Sequence, residues 1–205
     1  MSKARAKKIK LLLLDVDGVM TDGTIFLFPV PGGAAQQPCS AGKMDPGGHV
    51  TQSDAVVETK GFHAHDGTAF SLARLGGIKT GIITKRVSET VRIRAHNLKI
   101  EYVYQGIADK LNAFREILKK EKLKPEEVAF VGDDVIDLPV MRNCGLAFAV
   151  ANAREEVKDE AHVITDHRGG EGAVRDAVEY ILKAQGSLAR CVDAYISGRP
   201  NADKL

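Results

Sequence analysis

The sequence contains no tryptophan, and only 5% of its 205 residues are aromatic. So few rings argue against a surface that stacks the bases of single-stranded nucleic acid. Cysteine is also sparse. Cys39, Cys144 and Cys191 lie far apart, with no CxxC and no Cys/His ligand pattern. The thiols read as those of a cytosolic protein, and a zinc site is not expected. Charge of one sign is missing as well: 29 basic against 27 acidic residues leave a formal net charge of +2. That is too near neutral to point to a polyanionic partner, so no nucleic acid is expected. The leucine run Leu11–Leu14 stops at Asp15, far short of a signal core or a membrane span. The expectation is a cytoplasmic protein with no membrane partner.

What is present is ordinary globular composition, 44% apolar and 27% charged. The length suits one α/β domain better than two. Lys3, Arg5, Lys7, Lys8 and Lys10 crowd the start, and residues 1–8 are expected as a solvated basic arm. Short apolar runs then recur at 9–14, Thr80–Ile83, Val128–Val131, Leu146–Val150 and His162–Thr165. Between them lie helical patterns at 87–98, 109–121 and 172–184. The second carries Leu111, Phe114, Ile117 and Leu118 at helical spacing, and the third carries Val174, Ala177, Val178, Ile181 and Leu182. Strands alternating with helices predict a parallel sheet. Residues 29–53 are rich in Pro and Gly. They read as the long tip of a β-hairpin whose strands are Thr24–Phe28 and Ala55–Thr59. The domain is expected over 9–186, with the hairpin flap at 24–59 inside it. Residues 187–205 form a C-terminal extension, in which Leu188–Ile196 prolongs the last helix and the remainder is a loose tail.

Ligands on parallel sheets sit at the carboxyl ends of the strands. The residues there form a consistent set: Asp15-Val16-Asp17-Gly18, then Thr84, then Lys110 at a helix start, then Gly132-Asp133-Asp134 with Asp137 one turn on. Taken singly, each has a bland reading as a turn residue, a helix cap or solvated surface. Together they require four coincidences of position. Clustered carboxylates repel one another unless a cation sits among them, and an all-oxygen set favours Mg²⁺. A carboxylate beside that ion can attack phosphorus, and Lys110 and Thr84 would stabilise the transferring group. Asp17, two residues on in extended backbone, points the same way as Asp15 and could serve as acid and base.

Asp15-Val-Asp-Gly-Val-Met-Thr-Asp22-Gly resembles the first motif of the haloacid dehalogenase superfamily. Ile82-Ile83-Thr84, Lys110 and Gly132-Asp133-Asp134-x-x-Asp137 resemble the second, third and fourth, in order and in spacing. The resemblance implies a Rossmann-like core with helices on both faces. It implies Asp15 as nucleophile and Asp17 as acid/base. It also implies Mg²⁺ held by the Asp15 side chain, the Asp17 carbonyl and Asp133, with Asp134 and Asp137 as supporting acids.

The flap, Asp66-Gly67, Tyr104-Gln105-Gly106, the stretch Val131–Met141 and Gly169-Gly170-Glu171-Gly172-Ala173-Val174-Arg175 are similar to the 3-deoxy-D-manno-octulosonate (KDO) 8-phosphate phosphatase family. That family lacks a large cap domain, and here no insertion long enough for one interrupts 59–172. The resemblance implies a homotetramer in which each flap closes a neighbour's site, and a substrate used in lipopolysaccharide biosynthesis. Candidates to read a sugar-acid phosphate are Lys85, Arg86, His65 from a neighbour, and Asp66, with Arg175 structural. A nonulosonate 9-phosphate remains the alternative substrate. A phospho-receiver domain fits less well, because its acidic pair precedes its Lys, whereas Lys110 precedes Asp133-Asp134 here. A catalytically silent binding domain would not fill every catalytic position.

Overall fold

The computed structural model describes residues 2–29 and 56–198. The expected hairpin tip from residue 30 onward, Cys39 and the tail from 199 lie outside them. Among the described residues, eight α-helices and eight strands follow in chain order: α1 (Ser2–Ala6), β1 (Leu11–Leu14), β2 (Phe26–Pro29), β3 (Val56–Thr59), α2 (Ala64–Leu75), β4 (Lys79–Ile83), α3 (Glu89–Leu98), β5 (Tyr102–Tyr104), α4 (Lys110–Glu121), β6 (Val128–Gly132), α5 (Leu138–Met141), β7 (Leu146–Ala149), α6 (Glu155–Glu160), β8 (Val163–Ile164), α7 (Ala173–Ala184) and α8 (Leu188–Ile196).

Six strands make one parallel sheet in the order β5-β4-β1-β6-β7-β8. The leucines of β1 are fully buried, as is every residue of β6, because helices cover both faces of a parallel sheet. β1 pairs with β4 on one side (Leu11↔Lys79) and β6 on the other (Leu11↔Val128). The chain builds outward from β1 to β4 and β5, then returns to the opposite side with β6. The switch point therefore falls between β1 and β6, where a crevice opens beyond the strand ends. Phe70, Phe114, Phe130 and Phe148 fill the core.

The α/β pattern agrees with the expectation, and the predicted strands and helices fall within a few residues of the observed ones. The hairpin also forms, antiparallel with Phe26 opposite Thr59 and Pro29 opposite Val56. Three features differ. β5 has only three residues, too short for a pattern. α2 lacks a side-chain cap at His63, so no start signal marks it. Leu188–Ile196 is a separate helix rather than a continuation, because Gly186 takes φ 70° and turns the chain after α7.

The basic start is the clearest correction. Residues 2–6 form a docked helix, not a solvated arm. Ala6 is fully buried, the Ser2 hydroxyl donates to the His162 carbonyl at 3.0 Å, and the Arg5 guanidinium donates to the Gly145 carbonyl at 2.8 Å. Gln185 Nε2 donates to the carbonyls of Ala6 and Ile9. The charges stay in water while one small apolar residue reaches the core. Ala6→Asp should therefore lower stability by about 3 kcal/mol or more, the scale of burying an unpaired charge. Ala4→Asp, at an exposed position of the same helix, should be near neutral. Urea denaturation of both variants checks this, and equal midpoints would mean that the helix does not dock.

Candidate active site

The site begins with an ammonium among carboxylates. Asp15 ends β1 with its backbone N–H still donating to the Val131 carbonyl, so its side chain leaves the sheet at the switch point. One of its oxygens accepts from the Val16 N–H at 2.6 Å and the other lies 2.7 Å from Lys110 Nζ. Lys110 opens α4, whose start is capped by the Asp109 side chain accepting from the Asn112 N–H. Its ammonium donates equally closely to Asp137 Oδ1, at 2.7 Å. Asp137 is fully buried, and its second oxygen accepts from the Asp133 N–H at 3.0 Å. Lys110 thus ties the β1 end to the β6 end.

Carboxylate oxygens of Asp15, Asp133 and Asp137 lie within 4.8 Å of one another. Three carboxylates and one ammonium, all ionised, would leave two negative charges. Burial, only partly offset by Lys110, pushes Asp15 up to about 7. Burial and then the neighbouring Asp15, Asp137 and Asp134 push Asp133 up to about 8. Burial would lower Lys110, but Asp15 and Asp137 outweigh it and raise it. Asp133 Oδ1 is buried with no hydrogen-bond partner. An excess of two negative charges, an orphaned carboxylate oxygen and no soft ligand are what a hard divalent cation would neutralise, so the donor set fits Mg²⁺. Asp137 has both oxygens engaged, so it supports the cluster rather than offering a free ligand atom.

The surrounding loops are locked by close backbone approach. Gly18 takes φ +84°, and a Cβ there would meet Asp133 Oδ2 at 2.1 Å. A Cβ on Gly169 would meet the Gly18 carbonyl at 1.7 Å. The Gly169–Gly170 turn is pinned in place by the Asn152 side chain, which accepts from the Gly169 N–H, and by the Gly170 N–H donating to the Val19 carbonyl. Thr84, buried at the end of β4, holds its place through backbone bonds to Tyr104 and Ile107.

These residues border a pocket of about 290 Å³ lined by Asp15, Asp17, Thr84, Lys85, Arg86, Asp133 and Asp134, among others. A hollow of about 800 Å³ at the opposite strand ends is lined by Lys7, Lys8, Lys10 and Lys124 together with Glu126 and Glu127. His65 and Asp66 are not in the 290 Å³ pocket. His65 is exposed and meets His63 edge-on. Asp66 is buried and accepts from the Arg175 N–H at 2.9 Å, capping α7 from another helix where Gly172 has no side chain to do so. Arg175 pairs with Glu179 one turn on.

Two residues that touch the pocket's lining had escaped the sequence reading. Lys60, just past β3, contacts Asp17 Oδ1 and lies 3.3 Å from Glu58 Oε1. Glu58 in turn accepts from Arg86 at 2.8 Å. Burial would raise Glu58, but Arg86 and Lys60 outweigh it and hold it below the usual carboxylate range. No sequence signal could have found these residues, because only the hairpin's docking brings them to Asp17.

A haloacid dehalogenase-like hydrolase family model matches residues 78–177. The 3-deoxy-D-manno-octulosonate 8-phosphate phosphatase KdsC of Escherichia coli K12 is 39% identical over 185 residues, covering 90% of this chain and 85% of that protein. The chain belongs to the KDO 8-phosphate phosphatase family of haloacid dehalogenase-like hydrolases. Crystal structures agree. The Yersinia pestis KDO 8-phosphate phosphatase superimposes with a TM-score of 0.75 at 38% identity, covering 92% of this chain and 88% of that one. The Moraxella catarrhalis phosphatase, solved with magnesium, phosphate and KDO, gives a TM-score of 0.77 at 34% identity and covers 97% of each chain. These KDO 8-phosphate phosphatases thus share this chain's fold over nearly its whole length.

A carboxyl raised by burial and repulsion costs stability once it ionises. For Asp133 that cost is absent below 3.8, grows as pH rises and is complete above about 8. In metal-free protein, Asp133→Asn should therefore raise the melting temperature by a few degrees, the effect of about 1 kcal/mol. The gain should widen from pH 5 to pH 8. Mg²⁺ should stabilise the wild type and not the variant. Calorimetry with and without Mg²⁺ checks all three, and a destabilised Asp133→Asn would mean that the oxygen has a partner.

Proposed function

We propose that this chain hydrolyses 3-deoxy-D-manno-octulosonate 8-phosphate to KDO and inorganic phosphate in a Mg²⁺-dependent reaction. The observation that carries the reading is the Asp15 carboxylate at the floor of the pocket, fixed by Lys110 beside the orphaned oxygen of Asp133. The 39% identity to KdsC supports the substrate. Asp15 attacks phosphorus and the P–O bond to the sugar breaks. Asp17 gives its proton to the departing sugar oxygen. Water then attacks the aspartyl-phosphate while Asp17 takes the proton back, and Asp15 and phosphate are released. Lys110 and Thr84 balance and orient the transferring group. Asp15, the Asp17 carbonyl and Asp133 would hold Mg²⁺, which when bound supplies charge neutralisation at the phosphoryl oxygens. Asp134 and Asp137 support this set, and Lys85 and Arg86 face the pocket as readers of the sugar acid.

The working unit in this reading is a phosphatase domain over 9–186 that acts as a homotetramer in the cytoplasm. No described helix is long and apolar enough to cross a membrane. The hairpin supports the assembly. Phe26, Leu27 and Phe28 are each at least half exposed on a two-stranded sheet, which natural proteins cover or pair. In a tetramer the hairpins would cover one another, and His65 would lie near a neighbour's pocket.

Asp15→Asn should lower kcat by about 10³-fold or more with an intact fold, the scale of removing a principal catalytic group. Chelation should abolish wild-type turnover and Mg²⁺ restore it. Phosphate release from a panel of sugar-acid phosphates, nonulosonate 9-phosphates included, measures both. A variant above a tenth of wild-type activity would remove Asp15 from this role. Light scattering should give a tetramer that Phe26→Ser with Phe28→Ser dissociates, with a loss of turnover. A fully active monomer would rule out the shared site.

A further inference from the structure

Lys60 has no exposed side-chain surface, although lysine is among the side chains least often buried. A buried ammonium is costly unless charges meet it. Two do: Asp17 Oδ1, in close contact, and Glu58 Oε1 at 3.3 Å. Lys60 does not line the pocket, so it reaches Asp17 from outside the pocket lining. Arg86 closes the ring, donating to Glu58 Oε2 at 2.8 Å and lying 4.0 Å from Asp17 Oδ2. Of the two Asp17 oxygens, one is therefore occupied by the hairpin lysine and the other is turned toward Arg86, which borders the pocket.

We propose that Lys60 is a positioning residue for the acid-base step: it fixes Asp17 Oδ1 and leaves Oδ2 as the oxygen that carries the proton. The inference rests on the hydrolase reading above. A proton on Oδ2 passes to the sugar oxygen as its bond to phosphorus breaks. The ionised Oδ2 then takes one proton from the water that attacks the aspartyl-phosphate, which restores the starting state. Proton transfer needs the donor within about 3 Å of the acceptor, so a side chain free to rotate would lose much of its effect. Lys60 lies 43 residues from Asp17 in the chain. Docking of the β2–β3 hairpin thus sets the geometry of the catalytic acid as well as bordering the site. A lysine that only anchored the hairpin would show no preference among leaving groups.

Leaving groups separate the two roles. An alkyl phosphate such as KDO 8-phosphate must have its departing oxygen protonated, whereas the nitrophenolate of p-nitrophenyl phosphate leaves without help. For Lys60→Met, kcat/KM on KDO 8-phosphate should fall about 10²-fold, the lower scale of general acid catalysis. On p-nitrophenyl phosphate it should fall less than about 5-fold, because the first irreversible step then needs no acid. The ratio of the two constants, taken on one sample, does not depend on the fraction of folded protein. Lys60→Arg, which keeps the cation, should recover part of the selective loss. Wild-type turnover of both esters checks the hydrolase reading separately. Equal losses on both esters, or none, would overturn the role of Lys60.

Discussion

The Lys110 ammonium between Asp15 and Asp137 is the interaction on which the site depends. It spans the topological switch point, bonding at 2.7 Å to the end of β1 and to the turn after β6. Without it, the clustered carboxylates would face one another in a buried space, where charge repulsion is strong. With it, the cluster is still two charges negative once every carboxyl is ionised. The site is thus built to be incomplete in the protein alone. Stability is given up locally at a cluster whose all-oxygen donors fit a divalent ion.

Backbone proximity supplies the rigidity around that cluster. The β1 loop at Gly18 is pressed between Asp133 on one side and Gly169 on the other, with no room for a Cβ at either contact. Four separate stretches of chain, the ends of β1, β4 and β6 and the loop before α7, converge within a few ångströms. Each is anchored by backbone hydrogen bonds, so Asp15, Thr84, Lys110 and Asp133 hold their positions without a lid domain. The hairpin adds what the sheet does not. Through Lys60 and Glu58 it contacts Asp17 and Arg86, linking the pocket to an element that exposes Phe26, Leu27 and Phe28.

Much of this was legible from residue order. The leucine run ending at Asp15 announced a buried strand with a carboxylate at its tip. Val128–Val131 followed by Gly132-Asp133-Asp134 did the same. Those signals are local: an apolar run closes, and the next residue stands at a strand end. Lys110 was legible at the start of an amphipathic helix. The docked start was not, because five cations hid the one alanine that reaches the core. Nor was α2, whose buried Asp66 caps a different helix. Asp66 stands as a candidate reader of substrate until α7 is laid beside it.

The sequence alone determined the fold class, the strand-end acids and the family, because periodicity and motif spacing are properties of neighbours in the chain. Only the tertiary structure decided which charges meet. It paired Lys60 with Asp17, Glu58 with Arg86 and Asp66 with the start of α7, and it left one oxygen of Asp133 without a partner. Those outcomes depend on distances between segments far apart in the chain. Hydrogen bonds and ion pairs act over about 3–4 Å, a length that sequence separation does not encode.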